Sequence, residues 1–404
     1  MYNKLPFQQN ILDLIGRENE LFGHDITANN NELNAIVSSS KFLVLGAAGT
    51  IGQAVTKEIF KRNPTKLHVV DISENNLVEL VRDIRNSFGY INGDFKTFVL
   101  DISSLEYDAF IASDGNYDYV LNLSALKHVR SEKDPFTLMR MINVNIFNTE
   151  KTIHQSIKYG VKKYFCVSTD KAANPVSMMG ASKRIMELFL MQKSKDIQIS
   201  TARFANVTFS DGSLLHSFDQ RIKKQQPIVA PKDIKRYFIT QKEAGELCLM
   251  SCIFGENNDI FFPKLNENLH LTSFTDIAIK YIKNLGYEPY ICINEDDARK
   301  LVKTFPQTGK WPCLFTETST TGEKDIEEFF TENETLDMKR FKSIGIIKNE
   351  LNINNEDKMN MFSNEIEKLK LKKSWTKEAI VNLFQKLLPN FNHKEKGKNL
   401  DHKM

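Results

Sequence analysis

The chain of 404 residues lacks a clear excess of either charge, a long apolar run and a cluster of cysteines. Its 54 basic and 51 acidic residues leave a net charge of +3, so nothing points to nucleic acid as a partner. The longest apolar stretches have the length of a strand or are amphipathic, and no membrane insertion is predicted. Because MYNKLPFQQN has no apolar run after its lysine, we predict no signal peptide and expect a cytoplasmic protein.

Cysteine is scarce, with five scattered residues. Cys248 and Cys252 form the one close pair in the sequence, and they fall in a predicted apolar helix with no histidine beside them. Zinc-type sites need several cysteine or histidine ligands at short spacing. We therefore predict buried free thiols and no metal site.

A glycine-rich turn follows the first predicted strand, in KFLVLGAAGTIGQAVTKEIF. Gly46 permits a tight turn, Gly49 allows the backbone to approach a pyrophosphate, and Gly52 allows the next helix to pack on the strand. Many strand-to-helix turns are rich in glycine for conformational reasons alone, so this spacing by itself leaves both interpretations open. The other residues assigned to the cofactor in this turn are Ala48, Thr50 and Ile51.

The second predicted strand, 67–70, favours the cofactor interpretation. It ends in Asp71, nineteen residues after Gly52, where a carboxylate binds the adenosine ribose. We assign Ser73 to the same site. No arginine occurs at positions 72–75 to bind a 2'-phosphate, so the sequence favours NAD over NADP.

Two further predicted strands, 96–100 and 119–123, end at the same edge of the sheet. Because parallel strands end at one edge, their terminal residues should line one cleft with the glycine turn. The residues assigned to the cofactor from these two strand ends are Asp101, Ile102, Leu123, Ser124 and Ala125.

The alternation of strands and helices from 41 to about 200 predicts an α/β fold, a Rossmann-type doubly wound parallel sheet with a smaller C-terminal substrate-binding lobe. A helix is predicted around 134–159, a fifth strand at 161–168, a helix at 177–193 and a sixth strand at 197–204. The predicted domains are a helical N-terminal extension (1–40), an NAD-binding domain (41–205), a substrate-binding lobe with interleaved segments (206–345) and a tail (346–404). In the tail we predict one amphipathic helix, 375–388, and a disordered basic end.

Residues 166–187 read CVSTDKAANPVSMMGASKRIME and are the most informative segment. Asp170 and Lys171 follow directly on an apolar strand, and Lys183 stands at helical spacing after them. An acid and an amine at a strand end suit proton transfer. The alternative is a surface ion pair at the end of a strand.

Several segments between 41 and 345 resemble the extended short-chain dehydrogenase/reductase superfamily, and within it the nucleotide-sugar 4,6-dehydratases that act on UDP-N-acetylglucosamine. They are GAAGTIG, LSALKHVRSEKDP, MINVNIFNT, STDKAANPVSMMGASKR, ARFANV and RYFIT, and TTGEKDIEEFF at 320–330 resembles the GEK-x-x-EE segment of these enzymes. The resemblance implies a nucleotide-sugar substrate, recycled NAD and a homo-oligomer formed through helices of the cofactor domain.

The resemblance also implies roles for the segment at 169–183. NAD would oxidise sugar C4, the C5 proton would leave, the C6 hydroxyl would depart as water, and the hydride would return to C6. Asp170 would protonate the C6 oxygen, Lys171 would take the C5 proton, Thr169 would hydrogen-bond the sugar near C4, and Lys183 would bind the nicotinamide ribose. These roles require a lowered pKa for Lys171 and a raised pKa for Asp170.

The superfamily's usual Tyr-x-x-x-Lys appears here as Met179 followed by Lys183. Methionine cannot take a proton, so the C4 hydroxyl must lose its proton to Asp170, Lys171 or a water molecule. A nucleotide-sugar 4-epimerase normally keeps the tyrosine and needs no acid–lysine pair. A non-catalytic NAD-binding regulator is the third alternative.

Further substrate contacts are implied by the resemblance. Lys127 and His128 correspond to residues near the sugar and nicotinamide, and a helix-start lysine with a packed histidine is the alternative. Two departures, Ala205 in place of glycine and no arginine before Gly322, leave the base open between uridine and guanosine. The C5 configuration of the product is also open. The remaining substrate-binding assignments are Met179, Asn206, Ser213, Arg236 and Glu323, of which Asn206, Ser213 and Arg236 are matched to the diphosphate.

Overall fold

The computed structural model describes residues 11–265, 269–318, 321–322, 324, 326–349, 356–395 and 397. Within these ranges, no helix has both the length and the apolar character needed to cross a membrane. The strands are β1 (Lys41–Leu45), β2 (Lys66–Asp71), β3 (Asp94–Val99), β4 (Tyr119–Asn122), β5 (Lys163–Thr169), β6 (Gln198–Phe204), β7 (Asn206–Val207), β8 (Ile228–Pro231), β9 (Lys235–Arg236), β10 (Phe238–Ile239), β11 (Asp259–Pro263), β12 (Thr272–Ser273), β13 (Glu288–Ile291), β14 (Lys310–Thr316), β15 (Thr335–Asp337) and β16 (Ile344–Lys348).

Helices surround these strands. They are α1 (Ile11–Leu14), α2 (Gly23–Ala28), α3 (Asn30–Ser38), α4 (Thr50–Phe60), α5 (Glu74–Phe88), α6 (Leu105–Asp114), α7 (Pro135–Ile142), α8 (Asn148–Lys158), α9 (Met178–Lys193), α10 (Leu214–Lys223), α11 (Gln241–Phe254), α12 (Phe274–Asn284), α13 (Glu295–Leu301), α14 (Glu356–Lys372) and α15 (Lys377–Leu387). The helix predicted around 134–159 is α7 and α8, joined by the π-helical turn Asn143–Phe147.

A nine-stranded sheet forms the centre, in the order β15-β16-β11-β6-β5-β4-β1-β2-β3. Pairing is parallel from β3 to β11, and β16 and β15 continue the sheet antiparallel. The predicted Rossmann-type sheet is therefore confirmed, and its order 3-2-1-4-5-6 leaves a crevice at the carboxyl ends of the strands. Strands β11, β15 and β16 come from the part of the chain that was expected to interleave with this sheet.

The central strands of the sheet are buried on both faces, as their apolar sequences require. In β1, Phe42 and Val44 belong to a core shared with α4, α5 and α11. Leu43 and Leu45 belong to the opposite core, shared with α6, α8 and α9. Successive residues of the strand thus face opposite layers of helices.

A second, smaller sheet forms a unit with its own apolar core. Its three parallel strands follow the order β13-β14-β8. Residues of α10 and α12 bury their apolar sides with this sheet. Two short pairs, β7–β10 and β9–β12, form separate two-stranded sheets.

The N-terminal helices are tied to the body by buried charges. Arg17 donates to Glu243 of α11 at 2.9 Å, and the same carboxylate accepts the backbone N–H of Leu21 at 2.7 Å. Asp25 accepts the backbone N–H groups of Lys342 and Ser343, each at 2.7 Å. The N-terminal extension therefore packs on the protein's own surface in its described part.

The C-terminal tail contains two helices rather than the single helix predicted. Apolar residues of α14 and α15, including Phe362 and Phe384, share one buried cluster with α7 and α9. The highly charged sequence of α14 obscured its apolar stripe of Met359, Phe362 and Ile366. The chain's own tail therefore covers this face of α7 and α9. A homo-oligomer formed through helices of the cofactor domain stays a prediction.

Candidate active site

The turn between β1 and α4 forms a cradle at the carboxyl edge of the sheet. A Cβ on Gly52 would lie 2.1 Å from the carbonyl oxygen of Gly46, so helix α4 reaches the turn only because residue 52 is glycine. A Cβ on Gly49 would have its nearest contact at 3.7 Å, and space remains open beside it. Thr50 and Ile51 begin α4, whose N-terminal N–H groups and dipole favour an anion. A dinucleotide diphosphate fits this cradle.

Asp71 lies against the same turn. Its Oδ2 accepts the backbone N–H of Ala48 at 2.9 Å, and its Oδ1 accepts that of Ser73 at 2.9 Å. The carboxylate is thus fixed where the sequence places the ribose ligand. Along the same edge lie the ends of β3 and β4, which carry Asp101, Ile102, Leu123, Ser124 and Ala125.

Thr169, Asp170 and Lys171 form a hydrogen-bonded group at the end of β5. Thr169 Oγ1 donates to Asp170 Oδ1 at 2.8 Å, and Lys171 Nζ donates to the same oxygen at 3.1 Å. Asp170 is only 2 % exposed, and its Oδ2 is buried with no partner among the described residues. A buried acceptor without a partner costs about 1–3 kcal/mol. This oxygen is therefore placed to accept a hydrogen bond from a hydroxyl group of a ligand.

Glu327 lies on the other side of Lys171, and sequence reasoning did not select it. Its Oε1 is 3.6 Å from Lys171 Nζ and 4.0 Å from Arg236 Nη2, and its buried Oε2 has no partner in the described part of the chain. Burial raises the pKa of Glu327 and the charge of Asp170 adds to this, against the opposing charge of Lys171. The only signal was the GEK-x-x-EE resemblance, which does not say which glutamate faces the lysine.

The predicted lowering of the pKa of Lys171 is wrong. Burial does lower this pKa, but the carboxylates of Asp170 and Glu327 together raise it by more, and the result lies above the ordinary lysine value. Negative charge on both sides favours the ammonium form. To act as a base, Lys171 must therefore first pass a proton to another group.

Helix α9 carries Met179 and Lys183 behind this group. A Cβ on Gly180 would lie 2.3 Å from the carbonyl oxygen of Lys171, so glycine lets the helix begin directly against the acid–lysine loop. Met179 is 4 % exposed and belongs to the apolar cluster of α7, α14 and α15. Lys183 Nζ donates to the carbonyl oxygen of Val167 at 3.0 Å, and burial lowers the pKa of Lys183.

Lys127 and His128 follow β4 and remain accessible at the surface of the crevice. Partial burial lowers the pKa of both groups, and the charge of Lys127 lowers that of His128 further. The ring of His128 lies against Gly212, in the loop whose Asp211 N–H donates to Thr50 Oγ1 at 2.9 Å. This loop therefore bridges the predicted sugar-binding residues and the glycine turn.

The residues matched to the diphosphate take separate positions. Arg236 is 3 % exposed and donates to the carbonyl oxygen of Lys324 at 2.8 Å, which places it beside Glu327 at the acid–lysine group. The backbone N–H of Asn206 donates to Tyr237 at 3.1 Å, and Ser213 caps α10 by accepting the N–H of His216 at 3.2 Å. Glu323 lies outside the described residues.

A buried charge network supports the acid–lysine group. The guanidinium of Arg203 donates to Glu187 at 2.8 and 2.9 Å, to Glu334 at 2.9 Å and to the carbonyl oxygen of Phe329 at 2.9 Å. Ser168, next to Thr169, donates to Glu187 at 2.6 Å. Burial opposes ionisation of Glu187, yet Arg203 lowers the pKa of this carboxyl to about 2. The network joins β5 to the segment after Glu327.

Three contacts hold Gly322, Lys324 and Glu328 against the loop after β5. Lys324 Nζ donates to the carbonyl oxygen of Ala173 at 3.0 Å, and Asn174 donates to Glu328 at 3.1 Å. The tail adds the third contact, because Lys394 N–H donates to Val176 and its carbonyl oxygen accepts the N–H of Gly322, each at 3.1 Å. Lys394, expected in a disordered end, is therefore part of the folded structure.

The cysteines are placed as predicted. All five are buried and unpaired. Burial raises the pKa of the Cys252 thiol to about 12, so this side chain is not a reactive thiolate. Over the described ranges, no group of three or more histidine, cysteine, aspartate or glutamate residues is placed to hold a metal ion.

The strand order and the glycine turn define a Rossmann-type α/β protein. The sequence profile described as polysaccharide biosynthesis protein matches residues 42–349, more than half of the chain, and the protein belongs to this family. The chain is 28 % identical over 324 residues to the uncharacterized membrane protein MJ1061 of Methanocaldococcus jannaschii, covering 78 % of this chain and 88 % of that protein. It spans 55 % of the length of the capsular polysaccharide biosynthesis protein CapD of Staphylococcus aureus and 44 % of EpsC of Bacillus subtilis.

Enzymes of two activities are similar to this chain. A UDP-N-acetylglucosamine 4,6-dehydratase (inverting) of Campylobacter jejuni is 28 % identical over 261 residues, 62 % of this chain and 73 % of that enzyme. A UDP-glucose 4-epimerase of Rickettsia prowazekii is 27 % identical over 232 residues, 55 % and 65 % of the two chains. Among solved structures, Pen from Bacillus thuringiensis superposes with a TM-score of 0.64 at 23 % identity, covering 78 % of this chain and 89 % of Pen. This last likeness supports the fold.

Proposed function

We propose that the protein is an NAD-dependent 4,6-dehydratase of a nucleotide-linked N-acetylhexosamine, with UDP-N-acetylglucosamine as the favoured substrate. The 4-keto-6-deoxy product would serve bacterial surface glycan or glycoprotein sugar synthesis. The observation that carries the proposal is the Asp170–Lys171 pair at the end of β5, with a buried carboxylate oxygen that has no partner among the residues the structure describes. The similarity to the Campylobacter jejuni dehydratase supports the same reaction.

The cofactor proposal rests on the turn after β1. Gly49 and the start of α4 would hold the diphosphate, Asp71 the adenosine ribose and Lys183 the nicotinamide ribose. When bound, NAD would supply a hydride acceptor for sugar C4 and return the hydride to C6. Asp71 and the absence of arginine at positions 72–75 favour NAD over NADP.

The chain's own side chains would handle the protons. Asp170 would protonate the departing C6 oxygen, Lys171 would take the C5 proton, and Thr169 would hydrogen-bond the sugar near C4. Since its two acidic neighbours keep Lys171 in the ammonium form, its proton must move before C5 is deprotonated. A carboxylate within reach of Nζ makes this transfer possible.

A 4-epimerase is the second candidate, favoured by the similarity to the Rickettsia prowazekii enzyme. It needs a group at C4 but no acid for a leaving hydroxyl, so an acid–lysine pair would be superfluous. A GDP-linked donor is the alternative substrate, since Ala205 and the residue before Gly322 depart from the UDP-type pattern. We further propose a cytoplasmic homo-oligomer, to be checked by sedimentation.

The decisive experiment is incubation of the purified protein with UDP-N-acetylglucosamine and, in parallel, GDP-N-acetylglucosamine. Mass spectrometry measures the loss of one water, and NMR gives the C5 configuration of the product. Loss of water from one donor supports the dehydratase and identifies the nucleotide. A product of unchanged mass that is the 4-epimer favours the epimerase, and no reaction with either donor contradicts the proposal.

A further inference from the structure

Two carboxyl groups face one ammonium group in the acid–lysine site. Lys171 Nζ lies 3.1 Å from Asp170 Oδ1 and 3.6 Å from Glu327 Oε1. Each carboxyl also has a second oxygen that is buried and has no partner among the described residues. Because both carboxyl groups lie close to Nζ, a proton can pass from one to the other through the amine. The arrangement therefore offers two unpaired carboxyl oxygens joined by a proton-carrying group.

The proposed dehydration requires two carboxyl groups between which a proton can move. The C4 hydroxyl loses a proton that the sugar never regains, and the C6 oxygen needs one proton to leave as water. The C5 proton leaves and returns, so it does not enter this balance. A dehydratase thus needs an acceptor near C4, a donor near C6 and a route between them, and the side chain of Met179 cannot be the acceptor.

We propose that Glu327 is the catalytic base that takes the C4 hydroxyl proton in place of the absent tyrosine, and that Lys171 carries this proton to Asp170. The proposal rests on the proposed function. The O–H bond at C4 breaks and an O–H bond forms on Glu327, while the electron pair of the C4–H bond passes to the nicotinamide. The C6–O bond breaks as Asp170 gives its proton, and transfer from Glu327 through Lys171 restores Asp170.

The contacts favour Glu327 over Asp170 as the acceptor. Asp170 Oδ1 already receives hydrogen bonds from Thr169 and Lys171 at 2.8 and 3.1 Å, and these stabilise its charge. Glu327 Oε1 lies farther from its two cations, at 3.6 Å from Lys171 Nζ and 4.0 Å from Arg236 Nη2, so these contacts stabilise its charge less. Burial and the charge of Asp170 raise the pKa of Glu327, in keeping with a role as proton acceptor.

The segment that carries Glu327 is held on both sides. Lys324 is anchored to Ala173, and Phe329 is anchored to the buried Arg203. Glu327 itself is 5 % exposed. A side chain fixed in this way has the positional precision that proton transfer demands.

The test compares Glu327→Gln with Glu328→Gln. Glu328 is the adjacent residue, and its half-exposed side chain contacts Asn174 and Lys324 at the surface. We expect Glu327→Gln to lower the dehydration rate by about 10²- to 10⁴-fold, as for loss of a general base. Calorimetry should give UDP-N-acetylglucosamine affinities within about threefold of wild type, an order-of-magnitude margin for a neutral isostere. Glu328→Gln should dehydrate at close to the wild-type rate.

A single-turnover experiment separates the C4 step from the C6 step. Asp170→Asn should accumulate the near-ultraviolet absorbance of reduced nicotinamide, because C4 oxidation proceeds while C6 protonation fails. Glu327→Gln should show no such absorbance. Glu327→Asp, which keeps the carboxylate and guards against a folding defect in the glutamine variant, should recover part of the rate with an altered pH profile.

The outcomes are distinct. A folded Glu327→Gln variant that keeps more than a tenth of the wild-type rate overturns the proposal, whereas the dehydratase assignment stands. Reduced nicotinamide accumulating in Glu327→Gln also overturns it. If the wild type epimerises at C4 instead, the dehydratase assignment fails, and loss of epimerisation in Glu327→Gln still supports Glu327 as the base. A wild type that turns over neither donor overturns both proposals.

Discussion

The cofactor cradle and the acid–lysine group lie at the same edge of one sheet but are built in different ways. The cradle comes from one short stretch, with the turn after β1 and Asp71 at the end of β2, and its key contacts are made by backbone atoms. The acid–lysine group at the end of β5 is completed by Arg236 and Glu327, which come from segments far from residues 169–171 in the sequence. A motif of backbone contacts can be recognised from a sequence, whereas a balance of buried charges depends on residues brought together by folding.

The largest expected effect tests the acid–lysine side of this comparison. Lys171→Ala removes the proposed base and the positive charge between Asp170 and Glu327, so the dehydration rate should fall by about 10²- to 10⁴-fold. Affinity for NAD, measured by calorimetry, should be unchanged because the cradle does not include Lys171. Turnover at the wild-type rate would remove Lys171 from the mechanism.

The pH profile of the wild type tests where the proton of Lys171 goes. The pKa of Lys171 is raised, so this side chain is in the ammonium form at neutral pH. In the proposed route its proton passes to a neighbouring carboxylate and stays within the site, so the rate of the C5 step, followed by solvent deuterium incorporation, should stay nearly constant with pH across the neutral range. A rate that changes steeply with pH over this range would contradict the proposed route.

A stability test measures how much the tail helix α15 contributes to the folded protein on which the cofactor cradle and the acid–lysine group depend. Phe384 of α15 is fully buried in the cluster shared with α7 and α9. Phe384→Ala should destabilise the protein by about 3–5 kcal/mol, measured as a lower thermal unfolding temperature. Leu371→Ala, at an exposed position of α14, is the matched control and should leave this temperature nearly unchanged. Equal behaviour of the two variants would show that α15 does not contribute to the core.

Asp71→Ala tests the cradle alone. Loss of a charged hydrogen-bond acceptor costs about 1.5–3 kcal/mol, so NAD affinity should weaken by about 10- to 100-fold. The proton-transfer side chains are untouched, so turnover at saturating NAD should be largely kept. Glu79→Ala, at an exposed position on α5, is the control. Unchanged NAD affinity in Asp71→Ala would contradict the placement of the ribose.

The smallest expected effect comes from Met179→Tyr. If the proton leaves C4 through another group, a tyrosine here is not required and activity should stay within about tenfold of wild type. Crowding in the apolar cluster around Met179 should cost about 1–3 kcal/mol of stability. A complete loss of activity in a folded variant would show that methionine is needed for packing at the site.

The sequence was sufficient where a feature depends on local pattern. The apolar runs and the glycine turn predicted the Rossmann-type sheet, and STDKA predicted an acid and a lysine at the end of the fifth strand, where the structure has Asp170 and Lys171. The prediction for the pKa of Lys171 was wrong because it followed from the role that the resemblance assigned, while in the fold the carboxylates of Asp170 and of Glu327, from another segment, raise this pKa. The first tail helix was missed because charged residues obscured its apolar stripe.

By itself, the sequence determined the alternation of strands and helices from 41 to about 200, the glycine turn and the presence of Asp170 and Lys171 at a strand end. These features follow from residue periodicity and from backbone geometry over a few residues. Only the tertiary structure decided that Glu327 faces Lys171, that Arg203 anchors the segment beyond it and that the tail covers α7 and α9. The physical reason is that electrostatic balance and side-chain packing depend on distances in space, which the spacing of residues along a chain does not contain.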